Sequence, residues 1–522
     1  MGNDAANDEG PSLFACSECK TRKVKCDRTK PICNRCTKDH ASCHYPTSRK
    51  RPLQLPSRPR LHELENRLVE LEDKLRQKEA AERHLPGTSL VGTGRFEKLP
   101  PQCQMEELCV NLPRTNIYFA KLHPESPMIH PSRYLTSLYQ PPHMQPPMCL
   151  QYIVMALAAR VSTEYKELAE PFYRRARYYI EADEMKEDGH HVTLAHCQCW
   201  ALIGHFEAQH LWFARASMST SRAVRLSQIL GIHLLDGPGP INQVLPPPRD
   251  WSEAEERRRT FWTIFCIDRG TSSTTTWPVL VDVNQVSTRL PGSEEAYRKG
   301  IEGVSTTLPE ALSYEDLSRS AFACRVVAMH LLHECFHSNH SPPGNITPTP
   351  VDEEDNLFWS KVGRLDSSLI LALTTLPQAL RCPENAHDSD AVLIGLQLHT
   401  ATICLYRAAQ ARSQTGAMPV ADMEDKASHA AQQIVTTIAL AADINTRFRN
   451  PFVAFAAFMA SFVFLKDYVT TRDGGSMHKL VALLDVMVAV GTQNPGFAAT
   501  LAVQMARELD KTGVDPTAMQ KV

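Results

Sequence analysis

Six cysteines fall within one short stretch of the 522-residue chain: Cys16, Cys19, Cys26, Cys33, Cys36 and Cys43. They read C-x2-C-x6-C-x6-C-x2-C-x6-C. Cys16 and Cys33, Cys19 and Cys36, and Cys26 and Cys43 are each seventeen positions apart, so one unit is repeated in tandem. A Cys-x2-Cys pair sets two thiolates on one tetrahedral zinc at about 2.3 Å each. Two four-coordinate zinc ions need about eight ligand positions where six sulfurs are available, so two sulfurs must bridge. The repeat makes its first members, Cys16 and Cys33, the bridges. Cys19 and Cys26 then complete one ion, and Cys36 and Cys43 the other. Six thiolates and two Zn²⁺ sum to −2, a charge that Lys20, Lys23, Lys25 and Lys30 can offset while keeping the sulfurs deprotonated. A segment this small has no core of its own, so the metal must supply its folding energy.

Two other chemistries fit cysteines in this number. Disulfides would require an oxidising compartment, and the acidic start Met1-Gly2-Asn3-Asp4 lacks the pattern of a secretory signal. A single metal with two spare cysteines would leave the seventeen-residue repeat a coincidence. His44, next to Cys43, is expected at the surface or facing phosphate, because adjacent residues rarely share one metal.

The two halves of the repeat differ in charge. Lys20-Thr21-Arg22-Lys23-Val24-Lys25 holds four cations, whereas Thr37-Lys38-Asp39-His40-Ala41-Ser42 holds one lysine offset by Asp39. From Cys16 to Arg60, thirteen Lys/Arg face three acids, a local +10 on a chain whose net charge is −2, so the remainder carries −12. A basic island on an acidic chain marks a polyanion partner. The first half is therefore expected to present a short helix to the major groove of double-stranded DNA, its first-turn N–H groups facing phosphate. Arg22 and Lys23 are the expected base readers, and Lys20 and Lys25 the phosphate contacts.

With all six cysteines, the Lys20–Lys25 run and the Lys30-Pro31-x-Cys33 turn in place, residues 14–46 resemble the fungal Zn₂Cys₆ binuclear-cluster DNA-binding domain. The resemblance implies two Zn²⁺ per chain, nuclear localisation, docking on CGG-type triplets, and homodimers that read two half-sites. It also supports Cys16 and Cys33 as the bridges.

After the cluster, residues 47–60 form a Pro-rich basic linker carrying Arg49, Lys50 and Arg51, expected as an extended strap and a candidate nuclear localisation signal. Leu61, Leu64, Leu68, Leu71 and Leu75 then alternate in steps of three and four, the spacing of a coiled-coil seam over 61–79. Arg67 with Glu72 and Lys74 with Glu79 fall where they can pair between chains. The competing reading is a lone amphipathic helix folded back on the rest of the chain, since two heptads are marginal by themselves.

Residues 100–510 read as a large all-α regulatory domain. Helical spacing of apolar residues marks 151–161, 171–182, 192–205, 211–230 (stopped by Gly231), 251–269, 357–376, 390–409, 427–447, 453–470 and 477–490. Ser252 with Glu255 suggests the capping box of the 251–269 helix. His123-Pro124-x-x-Pro127, Gly231-Ile232-His233, Glu255-Glu256-Arg257-Arg258-Arg259-Thr260-Phe261-Trp262, Asp268-Arg269 and Leu290-Pro291 together resemble the fungal-specific transcription factor domain, or middle homology region. That likeness implies a regulatory domain that holds or releases activity, in some members through a small effector, and that works with the transcription machinery. The Glu255–Arg259 charges are expected to form a structural ion-pair network.

Three further constellations carry chemistry on paper. His333-Glu334-x-x-His337 fits H-E-x-x-H, flanked by His330 and His340, yet Pro342-Pro343 follows at once and no third ligand stands out. A core reading is favoured. His196-Cys197-x-Cys199 is metal-like but lies in an apolar helical stretch, with no fourth ligand evident. Residues 352–359 mix acids with aromatics and are read as an acidic helix start.

The fold class is thus mainly α: a small N-terminal two-zinc, six-cysteine module after a disordered 1–13, a short coiled coil and a large all-α domain. The later cysteines are scattered as in a reduced interior, and the uncharged run 451–465 is shorter than the roughly 20 residues a membrane span needs. A soluble, non-enzymatic transcription regulator is expected, most naturally an activator. The rival functions are a zinc module that binds a partner protein and an all-α metallohydrolase at His333.

Overall fold

The computed structural model of the chain describes residues 15–45 and 115–512, the latter without 188, 238–243, 314–318, 339–350, 413–419, 442–451 and 494–496. These fall into two units, divided between Pro100 and Pro101. The basic linker and the leucine seam lie outside the described residues.

The first unit holds α1 (Ser17–Thr21) and α2 (Asn34–Lys38). The second is built of helices, with no strand among its described residues. Its helices are α3 (Pro131–Ser137), α4 (Met148–Arg160), α5 (Ala169–Glu184), α6 (Leu194–Gln209), α7 (Phe213–Ile229) and α8 (Trp251–Thr275). They continue with α9 (Glu294–Lys299), α10 (Leu308–Ser313), α11 (Ala321–His337), α12 (Val351–Thr374), α13 (Ser389–Arg412), α14 (Val420–Leu440), α15 (Phe452–Thr471), α16 (Gly474–Gln493) and α17 (Phe497–Lys511). The successive pairs α4 with α5, and α6 with α7, build one group. α11, α13, α14, α15 and α16 build another, and α8 packs on α6, α7 and α11 to join the two. One hydrophobic core runs through both groups.

Local signals explain several boundaries. α7 ends in a Schellman motif: Gly231 takes φ +70°, its N–H donates to Gln228 O, and the Ile232 N–H donates to Ser227 O. Pro171 sits inside α5 because it occupies the first turn, where no N–H is needed. The cap of α8 differs from expectation. Asp250, not Ser252, accepts from the Glu253 N–H at 2.9 Å, and Glu253 reaches back to the Arg249 N–H at 3.0 Å. Ser252 is buried and Glu255 is committed elsewhere, so neither is free to cap. α15 is longer than the uncharged run in it, and by length and composition α13 and α15 could cross a membrane. In this fold 78% and 67% of their most apolar windows are buried, so their apolarity serves the core.

α8 carries the charge network. Arg259 binds Glu255 at 2.9 Å, Glu294 at 2.5 Å, and the carbonyls of Gly292 and Pro127 at 3.0 and 3.3 Å, with its guanidinium 4.1 Å above the Tyr297 ring. Glu255 also accepts the Gly292 N–H, and Arg258 grips Asp236 through two bonds. Glu256 accepts from His130 N and Gln198, and the Trp262 indole donates to Arg289 O. Asp268 receives the N–H groups of Leu280 and Val281. These charges therefore tie three irregular segments, near 127–130, 236 and 280–294, to one helix, and they form a structural network as expected.

Substituting Arg259→Ala leaves the buried Glu255 with the Gly292 N–H and, as its only cation, the longer Arg258 contact. Stability should fall by on the order of 3 kcal/mol, read by urea denaturation of the helical signal. Burial also pushes His123 and His330 down to about 4. In the unfolded chain each binds its proton near 6.5, so between these values the unfolded state holds more protons and stability rises with pH. The melting temperature should therefore drop as pH falls from about 6.5 to 4. A melting temperature flat across that window would contradict these assignments.

Candidate zinc centre and nucleic-acid interface

The seventeen-residue repeat of the sequence is also a repeat of structure. Cys16 and Cys33 each N-cap their helix, their sulfurs accepting from the N–H of Cys19 and Cys36 at 3.4 Å. Each half then closes alike: Val24 N–H to Cys19 O and Ala41 N–H to Cys36 O, both 3.0 Å, around the left-handed residues Lys23 (φ +54°) and His40 (φ +47°). Two short helices are thereby turned so that four sulfurs are buried between them.

The sulfur geometry suits metal. Cys16 and Cys33 lie 3.8 Å apart, Cys16 and Cys36 3.7 Å, and Cys19 and Cys33 3.7 Å. Two sulfurs on one tetrahedral zinc stand about 3.8 Å apart. Two sets of four sulfurs, each set mutually within 4.8 Å, are present: Cys16, Cys19, Cys26 and Cys33, and Cys16, Cys33, Cys36 and Cys43. Cys16 and Cys33 belong to both. As thiols these groups cannot all ionise. Burial pushes Cys19 up to about 12 and raises Cys36 still further, while the Cys36 N–H draws Cys33 down to about 6. A cation among them is what makes six thiolates compatible.

The frame around the sulfurs is only partly legible in sequence. Asp27 accepts the Asn34 N–H at 3.1 Å at the start of α2 and is also hydrogen-bonded by Thr29, a contact that holds its carboxyl below the usual carboxylate range. The Tyr45 hydroxyl donates to Thr29 O at 2.8 Å beside Cys26. His44 has an exposed ring, and its carbonyl receives both the N–H and the hydroxyl of Ser17. Asp27 carries no signal of its role, because an acid so far ahead of the α2 start lies outside the usual capping spacing.

The basic residues sit differently from expectation. α1 ends at Thr21, so Lys20 is helical, Arg22 is its C-cap, Lys23 follows in left-handed backbone, and Lys25 lies outside regular secondary structure. The cations thus gather at the negative end of α1, where the helix dipole favours them. The N–H groups of Ser17 and Cys19 are used inside the module, by His44 O and Cys16 Sγ, and do not face outward. Arg22 is half exposed and bridges the halves, 2.8 Å from Glu18 and 3.5 Å from Asp39. Lys20, Lys23 and Lys25 are exposed and have no ion-pair partner among the described residues.

The other constellations resolve without forming an active site. His333 and His337 Nε2 both face the Ser272 hydroxyl, at 3.4 and 3.0 Å, and Glu334 pairs with Lys361 at 3.3 Å. No third metal donor joins them among the described residues. Residues 352–359 form the opening turns of α12.

Comparison with known proteins agrees with this geometry. Residues 14–52 match the fungal Zn(2)-Cys(6) binuclear cluster domain and residues 115–350 the fungal specific transcription factor domain. The chain is 25% identical over 486 residues to a pigment biosynthesis transcriptional activator of Monascus ruber, covering 86% of each chain. It is 24% identical to a citrinin biosynthesis transcriptional activator of Monascus purpureus, covering 81% of this chain and 80% of the relative. An ascochitine biosynthesis cluster transcriptional regulator of Didymella fabae is 31% identical over 38% of this chain and 34% of its own. The matched families and these relatives are transcription factors, not enzymes, and the matched cluster domain binds two zinc ions. With its paired sulfur sets and its helical second unit, the chain belongs to the fungal Zn₂Cys₆ transcription factors that carry the fungal-specific transcription factor domain.

Proposed function

We propose that this chain is a nuclear, sequence-specific RNA polymerase II regulator that binds CGG-type half-sites as a homodimer and activates the genes of a biosynthetic cluster. The observation that carries the reading is the pair of four-sulfur sets sharing two cysteines beside an exposed lysine edge. In this reading residues 14–46 are the reading head, with Cys16 and Cys33 bridging, Cys19 and Cys26 on one zinc, and Cys36 and Cys43 on the other. Lys23 at the left-handed turn reads base edges, and Lys20 and Lys25 hold phosphate. Arg22 joins Lys23 by leaving its ion pairs, a small cost because exposed pairs are worth about 0.2–1 kcal/mol. The strap 47–60, with Arg49, Lys50 and Arg51, follows the backbone. Leu61, Leu64, Leu68, Leu71 and Leu75 in 61–79 join two heads, and 100–510 regulates them toward the transcription machinery. Relatives named for pigment and citrinin biosynthesis, aligned over most of both chains, support the choice of target genes.

Fluorescence anisotropy of the full chain on a duplex with two CGG triplets, against a scrambled duplex, tests the reading. Preference for the CGG duplex is expected, with log K falling against log salt at a slope of roughly −4 to −5 for about five phosphate contacts. Equal binding to both duplexes would sink it. Lys23→Ala should relax base preference by a factor corresponding to about 1–3 kcal/mol, whereas Lys20→Ala should weaken both duplexes alike and reduce the salt slope by about 1. Metal analysis separates the sulfur roles: Cys33→Ser should disturb both zinc ions of the module, and Cys43→Ser only one.

A further inference from the structure

His196-Cys197-x-Cys199 has no metal partners within its own stretch of sequence, but the fold brings partners to it. The Cys197 sulfur turns to Ala223 O at 3.5 Å and drops out. His196 Nε2 instead lies 3.1 Å from Asp183 Oδ2 of α5, and the Cys149 sulfur of α4 stands within 4.8 Å of both. Cys199, three residues beyond His196 on α6, is fully buried and interacts with the Cys149 thiol, while its sulfur stands outside the three donors that lie mutually within 4.8 Å. Both cysteines are unoxidised.

We propose that Cys149, Asp183 and His196 form a third zinc-type site inside the helical unit, with the neighbouring Cys199 thiol drawn in as the fourth donor when the ion binds. Two thiolates, an imidazole and a carboxylate are a donor set suited to zinc, and imidazole and carboxylate donors on one tetrahedral zinc stand about 3.3 Å apart. The outer contacts are those a metal ligand needs. Thr193 Oγ1 lies 2.8 Å from His196 Nδ1, which fixes the ring and leaves Nε2 to the site. Lys186 holds the other Asp183 oxygen, Oδ1, at 2.5 Å, so Oδ2 remains available. Asp183 is 17% exposed while Cys149 and Cys199 are fully buried, which gives an ion a polar entrance and a dry seat. Bound there, the ion links α4, α5 and α6, all of which contribute to the second unit's core. The site is independent of the DNA-binding module, because its donors all come from residues 149–199.

Zinc content of the full-length chain tests the proposal. The protein is loaded with zinc, dialysed against metal-free buffer and analysed for metal per chain. The wild type is expected to hold one zinc more than Asp183→Asn and His196→Ala, three against two, and to melt at higher temperature than either. Asp183→Asn keeps the side-chain shape, so it remains informative where His196→Ala fails to fold. Cobalt substitution gives a second readout: the wild type should show more thiolate-to-cobalt absorbance than Cys149→Ser. The proposal is overturned by a wild type that keeps only two zinc ions after loading, or by an Asp183→Asn chain that keeps three. Either result leaves an ordinary buried Asp–His–Cys hydrogen-bonded group.

Discussion

Like charges in a small volume constrain the reading head more than any other term. Four sulfurs are buried within about van der Waals reach of one another in a stretch with almost no apolar residues to hold it. As thiolates, those sulfurs can be held together only by a cation. Once zinc is placed among them, the rest of the module follows as support. Each helix N-terminus points an N–H at a sulfur shared by the two sets, the repeat turns at Lys23 and His40, and Asp27 and Tyr45 close the connecting loop. The surplus negative charge of the filled cluster also gives the flanking lysines a reason to stay close while their ammonium groups reach outward.

The second unit depends on a different solution to the same problem of buried charge. Glu255 and Arg259 are almost wholly enclosed, and an isolated charge there would be intolerable. They are acceptable because each also answers backbone groups of irregular segments that have no helix or sheet partner of their own. This makes the Glu255–Arg259 run a clamp for loops, which is why it reads as a motif without being a catalytic site.

How much of this is legible in the sequence depends on whether the cause is local. The cysteine spacing is legible because each repeat builds half of the site within its own residues. Long amphipathic helices such as α5 and α7 show themselves by period, and Gly231 by its stop. α11 has no such stripe, since buried residues cover nearly its whole circumference, so in sequence only its histidines stand out, as a match to a zinc motif rather than as a helix face. The α8 cap moves to Asp250 because burial removes Ser252 and the clamp removes Glu255, facts of packing that no capping rule contains. The orientation of the lysines is hidden for a related reason. Their order in the chain places them near α1 but does not show that the sulfurs claim the helix's own N–H groups first.

That last point changes how a DNA-facing surface on this module must work. With the Ser17 and Cys19 N–H groups used internally, the α1 N-terminus offers little to phosphate, and under the proposed function recognition would fall to side chains at the other end of the helix. There the backbone is fixed by the left-handed turn at Lys23, and that turn is closed by the Val24 N–H on the Cys19 carbonyl. Cys19 is itself in one of the two sulfur sets. Metal, turn and lysine are therefore connected within residues 19–24. Under the proposed function, zinc would do more than keep the module folded: it would set the direction in which Lys23 points.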